Sequence, residues 1–241
     1  MLFQLPSEWL ANPMISNYLR ALHIQVPHVR KVKGILSLEN MYYVSKTLDK
    51  FDNALVYRAA FLLSFYGFLR ISNLVAPTVS SFDVDRQLCY RDVIMGSESV
   101  SVYLRWAKNL QRCDQSHVVH LPVMKNVYLC PYRALSALFQ SQHYTPYDPV
   151  IKFPVGPVLE SHLRKRFTLM LKILQLPTAA LTYHALRRSG ASLAFNNNVS
   201  FEGIKSQGSW QSDAVWQYLF ANSHRAKEVA NMFTALPMDF E

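Results

Sequence analysis

Acidic residues are scarce in this sequence: 16 Asp and Glu stand against 25 Lys and Arg, a formal net charge of +9 in 241 residues and a pI near 9.5. A basic excess of this size favours a polyanionic partner, either nucleic acid or an acidic membrane surface, although a solvated basic surface has the same composition. Charge of either sign is also sparse, at 17%, while half the chain is hydrophobic, enough for a sizeable core and too much for disorder throughout. Cys89, Cys113 and Cys130 are an odd number without a CxxC pair. That excludes a disulfide framework and points to reduced thiols in an intracellular protein. No basic-then-apolar leader opens the chain, and Met1–Pro6 is too short for a signal peptide. The apolar stretches are interrupted by Arg, Asp, Asn or Pro within the roughly 20 residues that a membrane helix needs, so the expectation is a soluble protein that does not span a membrane. Internal repeats and low-complexity tracts are missing too.

The positive charge is concentrated. Residues 151–210 hold Lys152, Arg164, Lys165, Arg166, Lys172, Arg187, Arg188 and Lys205 against Glu160 and Glu202, a net +6 in a quarter of the chain. Within that quarter Arg164, Lys165, Arg166, Arg188 and Lys205 are the residues expected to face the phosphates of such a partner.

Residues 1–37 are broken by Pro6, Pro13 and Pro27 and read as a linker or the remnant of a preceding domain, with one short helix around Met14–Leu22. From 38 to 241 the chain reads as one domain. Ser37 is placed to cap a helix running to about Lys50, with Asn40 where a capping box would have an acid. Ala54–Tyr66 is apolar on nearly every face, belongs in a core, and is ended by Gly67. Leu88–Met95, Val100–Trp106 and His117–Leu121 carry the Val, Tyr and Leu of a small three-stranded antiparallel sheet. Helices are then expected over Tyr132–His143, Val158–Gln175, Tyr183–Phe195, Phe201–Gln207, Ser212–Leu219 and Ser223–Ala235. In Val158–Gln175, Leu159, Leu163, Phe167, Met170, Leu171 and Leu174 keep the 3.6-residue period. The fold class is mainly α with one small sheet.

Three short segments could carry chemistry. His184-Ala-Leu-Arg187 puts an imidazole and a guanidinium on one face near a helix N-terminus, where an anion gains from free N–H groups and the helix dipole. Gly208-Ser-Trp210 is followed, within a turn or so, by Tyr218. Arg70, in Gly67-Phe-Leu-Arg-Ile-Ser-Asn-Leu, is a charge among apolar residues, where burial without a partner is costly. Taken singly, each is equally compatible with a surface His, packed aromatics or an Arg snorkelling to solvent.

Their order carries more. G-x-L-R-x-S-x-L, then a Lys in a β-hairpin, then H-x-x-R, then G-x-W and a Tyr resembles the catalytic domain of the tyrosine recombinases (the lambda-integrase-like family) over about residues 38–235. The Trp210–Tyr218 spacing, with Ser-Asp-Ala between, looks most like the Crypton and DIRS recombinases of eukaryotic mobile elements. The resemblance implies DNA cleavage and rejoining, for site-specific recombination or integration, through a 3′-phosphotyrosine. Tyr218 would be the nucleophile, and Arg70 and Arg187 would clamp the phosphate oxygens. His184 would assist proton transfer or hold an oxygen. Trp210 would position, since an indole N–H donates but cannot accept a proton. Lys108 would protonate the leaving 5′-oxygen. The implied partner is double-stranded DNA bound by a homotetramer, with no metal and no cofactor, in the nucleus if the source is eukaryotic.

Two features depart from that pattern. Asn73 stands where many relatives have an acid three residues after the first Arg, and residues 1–37 are too few for the helical core-binding domain that usually precedes the catalytic one. A domesticated DNA-binding module that keeps the fold without the chemistry is therefore the alternative, and a type IB topoisomerase-like nicking enzyme a third. Cys113, His117 and His120 fall at intervals seen in zinc sites, but in a strand His117 and His120 point to opposite faces, which argues against a shared ion.

Overall fold

The computed structural model describes residues 33–105 and 117–210, together with 212, 215, 216 and 219. Lys108, Cys113, Tyr218 and the expected helices at 14–22 and 223–235 lie outside the described residues, as does most of 212–219.

Helix α1 is Leu38–Thr47, and the hydroxyl of Ser37 accepts the Asn40 N–H at 3.0 Å, the cap that the sequence led us to expect. The central helix, α2, is Ala54–Tyr66, and Val56 to Phe65 are all buried. It is followed by the short helix α3 (Ile71–Leu74). The sheet comes next, β1 (Val93–Met95), β2 (Ser99–Leu104) and β3 (His117–Pro122), antiparallel in the order β1-β2-β3 with Val102 opposite both Val93 and Val119. Helix α4 is Pro131–Ser141, with proline at its first position, where no N–H is needed. Then come α5 (Glu160–Ile173), α6 (Ala185–Asn196) and α7 (Phe201–Gln207).

The first strand is shorter than the sequence suggests. Tyr90–Asp92 forms a 3-10 turn instead, because the buried Asp92 carboxylate accepts the Cys89 N–H at 2.9 Å and the Arg105 Nε–H at 2.6 Å. Once the carboxylate binds those two groups, extended pairing starts only at Val93.

The core packs around α2. Phe61 meets Phe167 of α5 and Tyr183 edge-on, with ring centroids 5.4 and 5.8 Å apart. The Tyr183 and Ser64 hydroxyls are hydrogen-bonded at 2.9 Å, which satisfies two buried polar groups together. Helix α6 crosses α2 so closely that a Cβ on Gly190 would lie 1.7 Å from the Phe65 carbonyl oxygen. That contact brings the second turn of α6 against the C-terminal end of α2.

Ahead of α1, the segment Gly34–Leu36 belongs to the same packing. Leu36 N–H donates to the Ser189 hydroxyl at 2.7 Å, and Gly34 N–H donates to the Ala180 carbonyl at 3.0 Å.

Candidate functional site: an arginine held between two helix ends

Two helices end near one point, each with a left-handed residue just beyond its last turn. After α2, Gly67 N–H closes on the Leu63 carbonyl and Phe68 takes the left-handed conformation, φ 51°. After α7, Ser209 is left-handed at φ 53°, Ser209 N–H donates to the Ser206 carbonyl and Trp210 N–H reaches back to the Lys205 carbonyl at 3.0 Å. These are the bonds of a Schellman motif, with Ser where glycine is usual. A bulky residue such as Phe68 is rare at positive φ and is held there only by its surroundings.

Arg187 supplies part of that hold. It lies in the first turn of α6, is 2% exposed, and donates from Nη1 to the Phe68 carbonyl and from Nη2 to the Gly208 carbonyl at 2.8 Å. Both acceptors sit at helix C-termini, where the macrodipole and surplus carbonyls favour a cation. The guanidinium carbon lies 4.0 Å from the centroid of the Trp210 ring, and Trp210 is itself 6% exposed. Gly208 is required beside it, since a Cβ there would fall 1.7 Å from the indole.

Arg70 follows Phe68 and Leu69 and caps α3. Asn73, 3% exposed, accepts the Arg70 N–H on Oδ1 at 3.1 Å, while Asn73 N–H returns to the Arg70 carbonyl at 2.9 Å. The cap needs one acceptor oxygen, and an amide offers it as a carboxylate would. His184, at the N-cap of α6, is half-buried. Its pKa is lowered to about 4, first by burial and then by Arg187, Arg188, Arg70 and Lys33. The imidazole is therefore neutral near pH 7 in a cationic surround, a setting that an anionic ligand would relieve.

The structure thus brings Arg70, His184, Arg187 and Trp210 together, from segments up to 140 residues apart. Two participants were not anticipated from sequence. Lys33 acts on His184, and His117 donates from Nε2 to the Gln207 carbonyl at 3.2 Å while feeling the charge of Arg187. Neither belongs to a motif. Strand parity was the one available signal for His117, since it shares the inward face of β3 with Val119 and Leu121.

The residues expected to face DNA divide. Arg164 and Lys165 are exposed on α5 and, with Thr168, Leu169 and Lys172, line a shallow hollow of about 340 Å³; Arg164 also pairs with Glu160 at 2.9 Å. Arg166 points inward, stacked over Phe51 and Tyr57 at 4.8 and 4.6 Å. Lys205 lies half-buried over the Phe201 ring at 5.5 Å. Arg188 departs furthest from the sequence expectation. It is 5% exposed, and its Nε and Nη2 donate to the Gly34 carbonyl at 3.0 and 2.7 Å, so its guanidinium serves the packing of Gly34–Leu36.

Among the described residues no cluster of three or more His, Cys, Asp or Glu could hold a metal ion, and no helix is long and apolar enough to cross a membrane. His120 pairs with Ser101, its Nδ1 3.0 Å from the hydroxyl, on the opposite side of the sheet from His117.

No family model matches the chain, and no curated protein matches it in sequence. Solved structures do match. A XerH site-specific recombinase bound to palindromic difH substrate, in a post-cleavage complex, superposes with a TM-score of 0.64 at 13% identity, over 86% of this chain and 55% of that one. XerA recombinase gives 0.60 at 16% identity, over 97% and 78%. A lambda integrase tetramer bound to a Holliday junction gives 0.58 at 13% identity, over 86% and 57%. The chain spans about half the length of the XerH and lambda integrase chains that it matches. Mostly helical among the described residues, with a three-stranded antiparallel sheet, the chain has the fold of tyrosine recombinase catalytic domains.

Proposed function

We propose that this chain binds duplex DNA and cuts and rejoins its strands through a covalent link to Tyr218. The observation that carries the reading is the convergence of Arg70, His184, Arg187 and Trp210 at the ends of α2 and α7, in a fold shared with site-specific recombinases. A cationic cluster with a neutral imidazole suits a phosphodiester whose charge grows during displacement. Tyr218 Oη gives its proton to the neutral imidazole of His184 and attacks phosphorus, the bond to the 5′-oxygen breaks, and the leaving oxygen takes a proton from Lys108. A phenol with a pKa of about 10 needs the nearby positive charge that Arg70 and Arg187 provide. The same link stores the bond energy for rejoining, so the reading calls for no nucleotide cofactor.

Several finer points belong to the same proposal. The exposed basic face of α5 tracks phosphates through Arg164, Lys165 and Lys172. The linker or remnant expected over residues 1–37 stops short of Gly34–Leu36, which pack with the catalytic domain, and the protein works as a homotetramer on DNA. The Trp210–Tyr218 spacing aligns it with Crypton and DIRS elements, and nuclear action follows if the source is eukaryotic.

One observation favours the second reading, a DNA-binding module without chemistry: Arg187 is 2% exposed and both its terminal nitrogens are engaged by backbone carbonyls. A library of nicked duplexes with randomised cores separates the two. Recovery of protein covalently joined to a subset of sequences supports the enzyme; salt-sensitive binding without any adduct supports the module.

A further inference from the structure

We infer that His117 is a positioning residue, clasping β3 to the helix ends that hold Arg187. Its consequence for catalysis rests on the cleavage reading above, whereas the clasp stands on geometry alone.

The first residue of β3, His117 shares its inward face with Val119 and Leu121. Its Nε2 lies 3.2 Å from the carbonyl oxygen of Gln207, the last residue of α7. Gln207 in turn donates its side-chain N–H to the carbonyl of Tyr66, the last residue of α2, at 3.1 Å. One residue beyond each of these helix ends, or two, lie Gly208 and Phe68, whose carbonyls receive the Arg187 guanidinium. A single line of hydrogen bonds therefore runs from the sheet through α7 to α2 and encloses the arginine. The chain enters β3 directly from the segment that contains Lys108. His117 is thus the point at which the strand that follows Lys108 is fastened to the Arg187 and Trp210 side of the site.

The bond also fixes the proton. A carbonyl accepts only, so Nε2 must carry the hydrogen and a neutral ring keeps its lone pair on Nδ1. Burial first, and Arg187 in addition, disfavour the charged ring, against the pull of the Gln207 carbonyl.

Three measurements test this. In the wild-type chain, nitrogen shifts of His117 at neutral pH should report the Nε2–H tautomer; an Nδ1–H tautomer overturns the clasp without any variant. His117→Ala should speed hydrogen exchange of the Ser209 and Trp210 amides by about fivefold to tenfold, the loss expected for one hydrogen bond. His117→Gln, which keeps an N–H at similar reach, should restore wild-type exchange. Unchanged exchange in His117→Ala, or a His117→Gln no better than alanine, overturns the proposal. In the adduct assay at saturating DNA, the same pair should show a slowed and a restored cleavage rate with DNA affinity unchanged. A His117→Ala chain that loses affinity but cleaves at the wild-type rate would refute the positioning role. Should the wild type form no adduct at all, the cleavage reading fails by itself, and the tautomer and exchange results still decide the clasp.

Discussion

Arg187 lies over the ring of Trp210, its guanidinium carbon 4.0 Å from the indole centroid, and both residues are nearly sealed from solvent. Such a contact is worth about 2 kcal/mol when desolvated, and each 1.4 kcal/mol is a factor of ten in rate. Trp210→Leu should therefore slow adduct formation roughly 30-fold at saturating DNA, whereas Trp210→Phe, which keeps a π-face, should lose only a few-fold. Equal losses in the two variants would mean that Trp210 fills space and does nothing for the guanidinium.

Gly190 sits where α6 presses on the Phe65 carbonyl, 1.7 Å from where a Cβ would be. Gly190→Ala must separate the helices, and overpacking of this kind costs about 1–3 kcal/mol. For a domain of this size the melting temperature should fall by about 3–10 °C. Because the first turn of α6 carries Arg187, adduct formation should fall more steeply than stability. A variant with wild-type melting would contradict the close approach of α2 and α6.

The basic residues should separate by readout. Lys165→Ala and Lys172→Ala remove exposed cations from α5, and each should reduce the slope of log affinity against log salt by about 0.9. Arg188→Ala should leave that slope alone and lower stability by about 1.5–3 kcal/mol, since it abolishes charged hydrogen bonds to the Gly34 carbonyl. A salt slope that moves with Arg188 and not with Lys165 would reverse these assignments.

Acid should weaken the folded state through His184. A free imidazole protonates near pH 6.5, whereas His184 in the fold protonates only at about 4. Between those values the unfolded chain binds a proton that the folded chain does not. Stability from this group is thus full above about pH 6.5 and is lost as pH falls toward 4. His117 shifts in the same direction. The urea midpoint should drop between about pH 7 and pH 4.5, and His184→Gln should shrink that drop. An unchanged drop would place the acid sensitivity elsewhere.

Much of this architecture was legible in the sequence because local signals agreed with the packing. Ala54–Tyr66 and Phe201–Gln207 have the expected bounds, the first because its almost unbroken apolar run stops at Gly67. What escaped depends on contacts distant in sequence. Arg188 looked like a partner of Arg187 in the same phosphate surface, yet its place is set by Gly34, 154 residues away. Arg166 fell off the apolar stripe of α5 but stacks on Phe51 and Tyr57, because a guanidinium can lie flat on rings and count as covered. In the sequence His117 stands out only by its zinc-like spacing from Cys113 and His120, and the strand parity that separates it from His120 is also what turns it toward Gln207.

A phosphotyrosine at Tyr218 is tested by mass-spectrometric mapping of the nucleotide-bearing peptide after trapping on a nicked suicide duplex. One modified peptide is expected, carrying its nucleotide on Tyr218 through a 3′-phosphate, with no adduct from Tyr218→Phe. A nucleotide on any other residue, or an adduct that persists in Tyr218→Phe, would contradict it.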